Sequence, residues 1–121
     1  MKTLDFLEPE EVLYFFDGPL IFTTRDPITQ NLLLAYFQED LEEEKLQRFL
    51  MVSTTETIIQ KLKESKITVR NALLQQGQEK FLVVDVSYNY QIQQIFDVQT
   101  LEQLPSDALP ESGIMLYPNL P

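Results

Sequence analysis

Short apolar runs separated by turn residues fill the first half of the chain. From Glu11 the residues Val12, Leu13, Tyr14, Phe15 and Phe16 form a β-prone run, interrupted by Asp17-Gly18-Pro19 and resumed by Leu20, Ile21, Phe22, Thr23 and Thr24, which predicts a hairpin. Asp-Gly supplies the positive φ of a tight turn, and Pro19, lacking an amide hydrogen, fits the first position of a strand or an edge. The second strand ends at Arg25-Asp26-Pro27. Asn31-Leu32-Leu33-Leu34-Ala35-Tyr36-Phe37 is continuously apolar; with turns close by and an aromatic tail, it reads as a central strand rather than a short buried helix.

The acidic run from Glu39 to Glu44 then predicts an exposed connector or the rim of a helical turn, leading to Phe49-Leu50-Met51-Val52, another buried strand. Ser53 and Glu56 stand at capping-box spacing, so a helix is expected to start there. Ile58, Ile59 and Leu62 recur at helical spacing, with Gln60, Lys61, Lys63 and Glu64 facing outward. Thr68 is a second N-cap candidate, followed by the stripe Val69, Ala72 and Leu73 until Gln75-Gln76-Gly77 stops it. Phe81-Leu82-Val83-Val84-Asp85-Val86-Ser87 is the strongest strand pattern in the chain. Tyr88, Tyr90 and Ile92 alternate with Asn89, Gln91 and Gln93 as in a half-exposed strand, and Ile95-Phe96 breaks the parity. The tail is rich in turn residues, yet Leu104, Leu109, Ile114, Leu116 and Tyr117 are too apolar for a free linker.

The order implies an α+β fold: a mainly antiparallel sheet of five to six strands, with one or two helices inserted between the fourth and fifth. Residues 1–121 read as a single domain, with 1–10 as an N-terminal extension and 104–121 as an irregular docked tail. A strict βαβα alternation is missing, which removes the doubly wound nucleotide-binding folds.

Composition narrows the chemistry. At 121 residues with 44% hydrophobic and 23% charged positions, the chain has enough apolar mass for one core and too little length for two. It has no cysteine and no histidine, so thiol nucleophiles, disulfides, Ser-His-Asp catalysis and His- or Cys-based metal sites are excluded. Nineteen acidic residues against nine basic give a net charge of -10, a potential that repels phosphate backbones and anionic lipid; neither nucleic acid nor membrane is expected as a partner. No apolar run is long enough for a membrane-spanning helix. The amino terminus places acids and a proline where an export signal would carry its apolar region, and the chain is read as cytoplasmic.

The hairpin Tyr14-Phe15-Phe16-Asp17-Gly18-Pro19-Leu20-Ile21-Phe22-Thr23, with Leu33-Leu34-Ala35-Tyr36, Arg48-Phe49-Leu50-Met51-Val52 and Leu109-Pro110-Glu111-Ser112-Gly113-Ile114, resembles a family of uncharacterised small bacterial domains, cyanobacterial members among them. The similarity runs from residue 11 to 116. Its motifs are turn and core residues, so the resemblance implies a shared fold and a bacterial, cytoplasmic origin; it implies no activity, ligand or catalytic residue.

Candidate sites are few. With three glycines and no G-x-G-x-x-G or Walker pattern, no phosphate cradle is encoded. The cationic group Lys61, Lys63, Lys66 and Arg70 reads as a solvated helix face. Glu39, Asp40, Glu42, Glu43 and Glu44 offer oxygen ligands for a divalent cation, but without the alternation and glycine of a calcium loop. Asp17 and Asp26 form an acid–base pair on paper, though turn formation explains both. A tyrosine stacking platform for RNA is opposed by charge, because residues 81–121 contain five acids and no base. The favoured reading is a non-enzymatic, acidic protein-interaction domain of accessory, adaptor or immunity type, without cofactor, metal or catalytic residues. Its expected partner surface is Tyr88, Tyr90 and Ile92 with Glu39, Asp40, Glu42, Glu43 and Glu44, and its expected partner a protein with a basic surface or a second copy of itself. The rival classes are a carboxylate-based hydrolase or divalent-metal-binding protein, and a nucleic-acid mimic that blocks a DNA-binding protein.

Overall fold

Six strands follow one another as antiparallel neighbours in the computed structural model, which describes residues 7–16, 18–26, 29–74, 80–96, 99–100 and 109–116. They are β1 (Glu11–Phe15), β2 (Pro19–Arg25), β3 (Leu32–Leu41), β4 (Leu46–Ser53), β5 (Lys80–Ser87) and β6 (Ile92–Ile95), hydrogen-bonded in that order. Two small helices, α1 (Glu56–Lys63) and α2 (Val69–Leu73), lie between β4 and β5, and a two-residue strand, β7 (Gln99–Thr100), pairs with the start of β5. The expected antiparallel sheet with helices after the fourth strand is therefore present. The weight lies heavily on the sheet.

Alternation along the strands divides the core into two layers. Leu34, Leu50, Val52, Phe81 and Val83 pack with Ile58, Ile59 and Leu62 of α1 and Val69, Ala72 and Leu73 of α2. On the opposite face Phe22, Ala35, Phe49, Met51, Val84 and Val86 form a second cluster with Leu7, in which Phe49 meets Phe22 and Phe37 edge-on at 5.3 and 5.7 Å. β3 and β4, central and covered on both faces, read as near-continuous apolar runs for this reason. Leu109 and Leu116 join the helix-side cluster, and Arg70 Nη1 donates to the Pro110 carbonyl while the Val69 amide donates to that of Ile114. Ile114 itself is exposed; Leu104, Tyr117 and Gln75-Gln76-Gly77 lie outside the described residues.

Residues 7–10 bind the two ends of the strand order together. Glu10 N–H donates to the Thr23 carbonyl, Thr24 Oγ1 to that of Glu8, and Leu7 N–H to that of Tyr90 at 2.8 Å. A contact between the segment before β1 and the turn before β6 requires the sheet to curl rather than lie flat.

Three local readings need correction. The cap of α1 is Thr55, whose hydroxyl accepts from the Ile58 amide at 3.2 Å; Ser53 is still paired with Leu33 in the sheet and has no helix amide to cap. The acidic run is a connector only over Glu42–Glu44, which lie in the exposed β3–β4 turn. β3 continues through Glu39, Asp40 and Leu41 past a bulge at residues 37–39, with Glu39 opposite Arg48 and Asp40 opposite Gln47, so a charged stretch that lacks β-propensity is held by its partner strand. Of the half-exposed strand expected over residues 88–93, Ile92 and Gln93 lie in β6 and Gln91 is a bridge residue, but residues 88–90 are not a strand. They are the β5–β6 turn, with Tyr90 at φ 68°. Ser87 drives this reversal: its carbonyl accepts from Tyr90 N–H and its amide donates to the Gln91 carbonyl, both at 2.8 Å, while its hydroxyl donates to Asn89 Oδ1. Thr68 caps α2 as expected, accepting from the Asn71 amide, and Pro19 opens β2 after Gly18 at φ 132°.

Candidate functional site

An antiparallel meander places alternate turns at the same end of the sheet, so the β1–β2, β3–β4 and β5–β6 turns all emerge together. Turns carried on a packed sheet are where binding groups are commonly displayed. The β3–β4 turn occupies residues 42–45, closed by Glu44 N–H to the Leu41 carbonyl and Lys45 N–H to the Glu42 carbonyl, with Lys45 in the left-handed region at φ 60°. Glu39, Asp40, Glu42, Glu43 and Glu44 are all exposed.

Tyr88 links the two turns that carry the expected partner surface. Its hydroxyl donates to Asp40 Oδ1 at 3.0 Å across 48 positions of sequence. That hydrogen bond, with minor help from burial and from the charges of Asp40 and Glu42, holds the phenol above its usual titration range, because ionisation would set a phenolate beside carboxylates. The phenol remains half-exposed. Tyr90 and Ile92 part from it: both are partly buried against the Phe22 and Phe49 cluster. The structure thus joins Tyr88 to the acidic residues and turns Tyr90 and Ile92 inward.

The third turn follows the end of β1, with Phe16 just beyond the strand. Phe15 and Phe16 are 66% and 71% exposed, and Val12 and Tyr14 exceed 40%. The turn is drawn toward Tyr90, since a Cβ built on Gly18 would sit 3.0 Å from the Tyr90 hydroxyl. Hydrophobic pattern does not mark this exposure, because register shifts flank Tyr14 and Phe16 lies beyond the end of β1.

Inward from the acidic turn lies a buried ion pair. Asp85 is fully buried and receives Arg48 in a bidentate pair, Nε to Oδ1 at 2.8 Å and Nη2 to Oδ2 at 2.9 Å, with Gln94 Nε2 also donating to Oδ2 at 2.8 Å. Arg48 lies over the Phe96 ring at 4.9 Å. The Asp85 hydrogen bond raises the Arg48 pKa further. A carboxylate within the apolar run of residues 81–86 implies a cation on the neighbouring strand.

At the opposite end of the sheet, Glu10, Glu11, Thr23, Arg25, Leu32, Glu56 and Ile59 line a groove of about 360 Å³. Its carboxylates are engaged by cations. Arg25 reaches Glu10 at 3.1 Å and Glu56 at 3.5 Å, and Lys63 reaches Glu11 at 2.7 Å. This network ties β1 and β2 to α1. Further along, Lys66 pairs with Glu64 at the surface and Arg70 donates to the Pro110 carbonyl. Asp26 Oδ1 accepts from the Thr29 amide in the turn it was expected to form, while Asp17 lies outside the described residues. Among the described residues no three acidic side chains converge as a metal site would require, and no helix is long and apolar enough to cross a membrane.

The chain belongs to the family of unknown function DUF6575, whose model matches residues 3–120. No curated protein and no solved structure matches it.

Proposed function

We propose that this chain is a non-enzymatic, acidic interaction domain of accessory, adaptor or immunity type that docks on a basic protein surface through the turn-bearing end of its sheet. The observation that carries the reading is the Tyr88–Asp40 hydrogen bond, which makes one surface of an aromatic and an acidic cluster. Tyrosine suits such a place because it combines contact area with a polar tip. Glu39, Asp40, Glu42, Glu43 and Glu44 outnumber the cations beside them, Lys45 in the turn and Arg48 opposite Glu39, and would steer a cationic partner into contact. The setting we propose is the bacterial cytoplasm, on the sequence resemblance and the absence of cysteine.

The test is affinity capture with the parent and with a Glu42→Gln/Glu43→Gln/Glu44→Gln variant, each at low and high salt. A partner recovered by the parent at low salt, and lost both with the variant and at high salt, supports the reading. Recovery of the same proteins by both, independent of salt, overturns it.

A further inference from the structure

We infer that the exposed aromatic hairpin of β1 is the apolar anchor of this docking surface, and that its occupant is an amphipathic cationic segment of another protein, in which lysine or arginine alternates with apolar side chains. The inference rests on the reading proposed above and narrows it from a basic surface to a segment of that pattern.

Phe15 and Phe16 are the most exposed large apolar residues described, and Tyr14, opposite Ile21 beside the Phe15–Pro19 pair, adds a third exposed ring next to them. Buried rings stabilise a small domain; rings left in water cost solubility unless something covers them. Their position is not arbitrary. The β1–β2 turn meets Tyr90 through Gly18, Tyr90 belongs to the same turn as Tyr88, and Tyr88 is bonded to Asp40. The apolar rings and the acidic turn thus emerge at the same end of the sheet, with Tyr90 and Tyr88 between them.

Charge selects the occupant. A second copy would bring a net charge of -10 against -10, and would set exposed Glu8 and the acids of residues 39–44 near their like. Phosphate backbones and anionic lipid meet the same repulsion. A segment bearing cations at alternate positions instead lays its apolar side chains on Phe15 and Phe16, brings its charges to the carboxylates, and gains cation–π contact with the ring faces.

The probe is a short synthetic peptide of alternating lysine and leucine, titrated against the full chain by calorimetry at low and high salt, with lysine–serine and glutamate–leucine peptides as controls. Binding of the lysine–leucine peptide alone is expected. Phe15→Ser/Phe16→Ser should weaken it roughly ten-fold or more at both salts while leaving the salt dependence intact. Glu42→Gln/Glu43→Gln/Glu44→Gln should flatten the salt dependence. Equal binding by the parent and the aromatic variant overturns the anchor; an unchanged salt dependence in the acidic variant overturns the underlying reading instead. Self-association of the parent in sedimentation, abolished by the aromatic variant, would assign the patch to a second copy and also overturn the inference. Both rings are exposed, so the aromatic variant should keep the parent's thermal midpoint; Phe16→Ser alone serves as a milder second variant.

Discussion

Replacing Arg48 by methionine leaves Asp85, fully buried, with Gln94 as its remaining side-chain donor. Removing one partner of a buried ion pair typically costs about 3–5 kcal/mol, because the surviving charge is desolvated and unpaired. The Arg48 side chain is 26% exposed, so water can enter the vacated space, and the lower end of that range applies. Loss of its position over Phe96 adds about 0.5–1 kcal/mol. The expected destabilisation of Arg48→Met is therefore about 3–4 kcal/mol, a large part of the roughly 5–15 kcal/mol that holds a domain of this size. Asp85→Asn should cost less, about 1–2 kcal/mol, since the freed guanidinium can turn to solvent. Arg48→Met/Asp85→Leu should lie within about 1 kcal/mol of the parent, because no buried charge remains. Urea unfolding of the parent, both single variants and the double variant closes a cycle whose coupling measures the pair directly. An Arg48→Met variant within about 0.5 kcal/mol of the parent would refute the claim that Asp85 depends on this cation.

The remaining predictions test the turn end and the local corrections. Tyr88 should ionise above the ordinary phenol value of about 10, and Asp40→Asn should bring it down. Because the folded-state value is raised, its contribution to stability is complete below the unfolded phenol value and is lost as pH rises through the folded one; phenolate absorbance of the parent, Asp40→Asn and Tyr88→Phe isolates the titration, and an unmoved curve in Asp40→Asn would refute the link. Thr55→Ala should cost about 1 kcal/mol in thermal unfolding and Ser53→Ala much less; the reverse order would restore Ser53 as the cap. Gly18→Ala should destabilise by about 1–2 kcal/mol through its positive φ and the close Tyr90 hydroxyl, with part of the loss recovered by adding Tyr90→Phe. Phe49→Ala, which removes the ring between Phe22 and Phe37, should cost about 3–5 kcal/mol by urea unfolding.

The fold was legible wherever burial acts on both faces of a strand. Residues 32–37, 49–52 and 81–84 are apolar without interruption because α1 and α2 cover one side of the sheet and the Phe22 and Phe49 cluster the other, and a continuous run needs no knowledge of its partner to be recognised. Legibility failed where conformation is set from elsewhere in the chain. Glu39 and Asp40 lack strand propensity and are extended because β4 pairs with them. Tyr88, Tyr90 and Ile92 show the period of a strand, and Ile92 does lie in β6, yet Ser87 reverses the chain at Tyr88 and Tyr90 through four hydrogen bonds, and hydrophobic period carries no information about such bonds.

The same distinction governs the candidate site. Its members are contributed by turns separated by tens of positions, and Tyr88 meets Asp40 solely because β3, β4 and β5 are antiparallel neighbours in register. Composition could indicate that surplus carboxylate and exposed tyrosine exist; pairing decides that they face the same solvent. Phe15 and Phe16 show the limit of pattern in another way, since the register shifts beside Tyr14 break the alternation that would say where each ring points. That both rings are exposed follows from position: β1 ends the strand order, and Phe16 has passed into the turn, where no neighbouring strand exists to cover it. On the proposed reading, an edge strand ending in exposed rings, at the same end of the sheet as a turn dense in carboxylate, disfavours its own copies and favours a cationic chain, so the net charge of -10 restricts what can cover those rings.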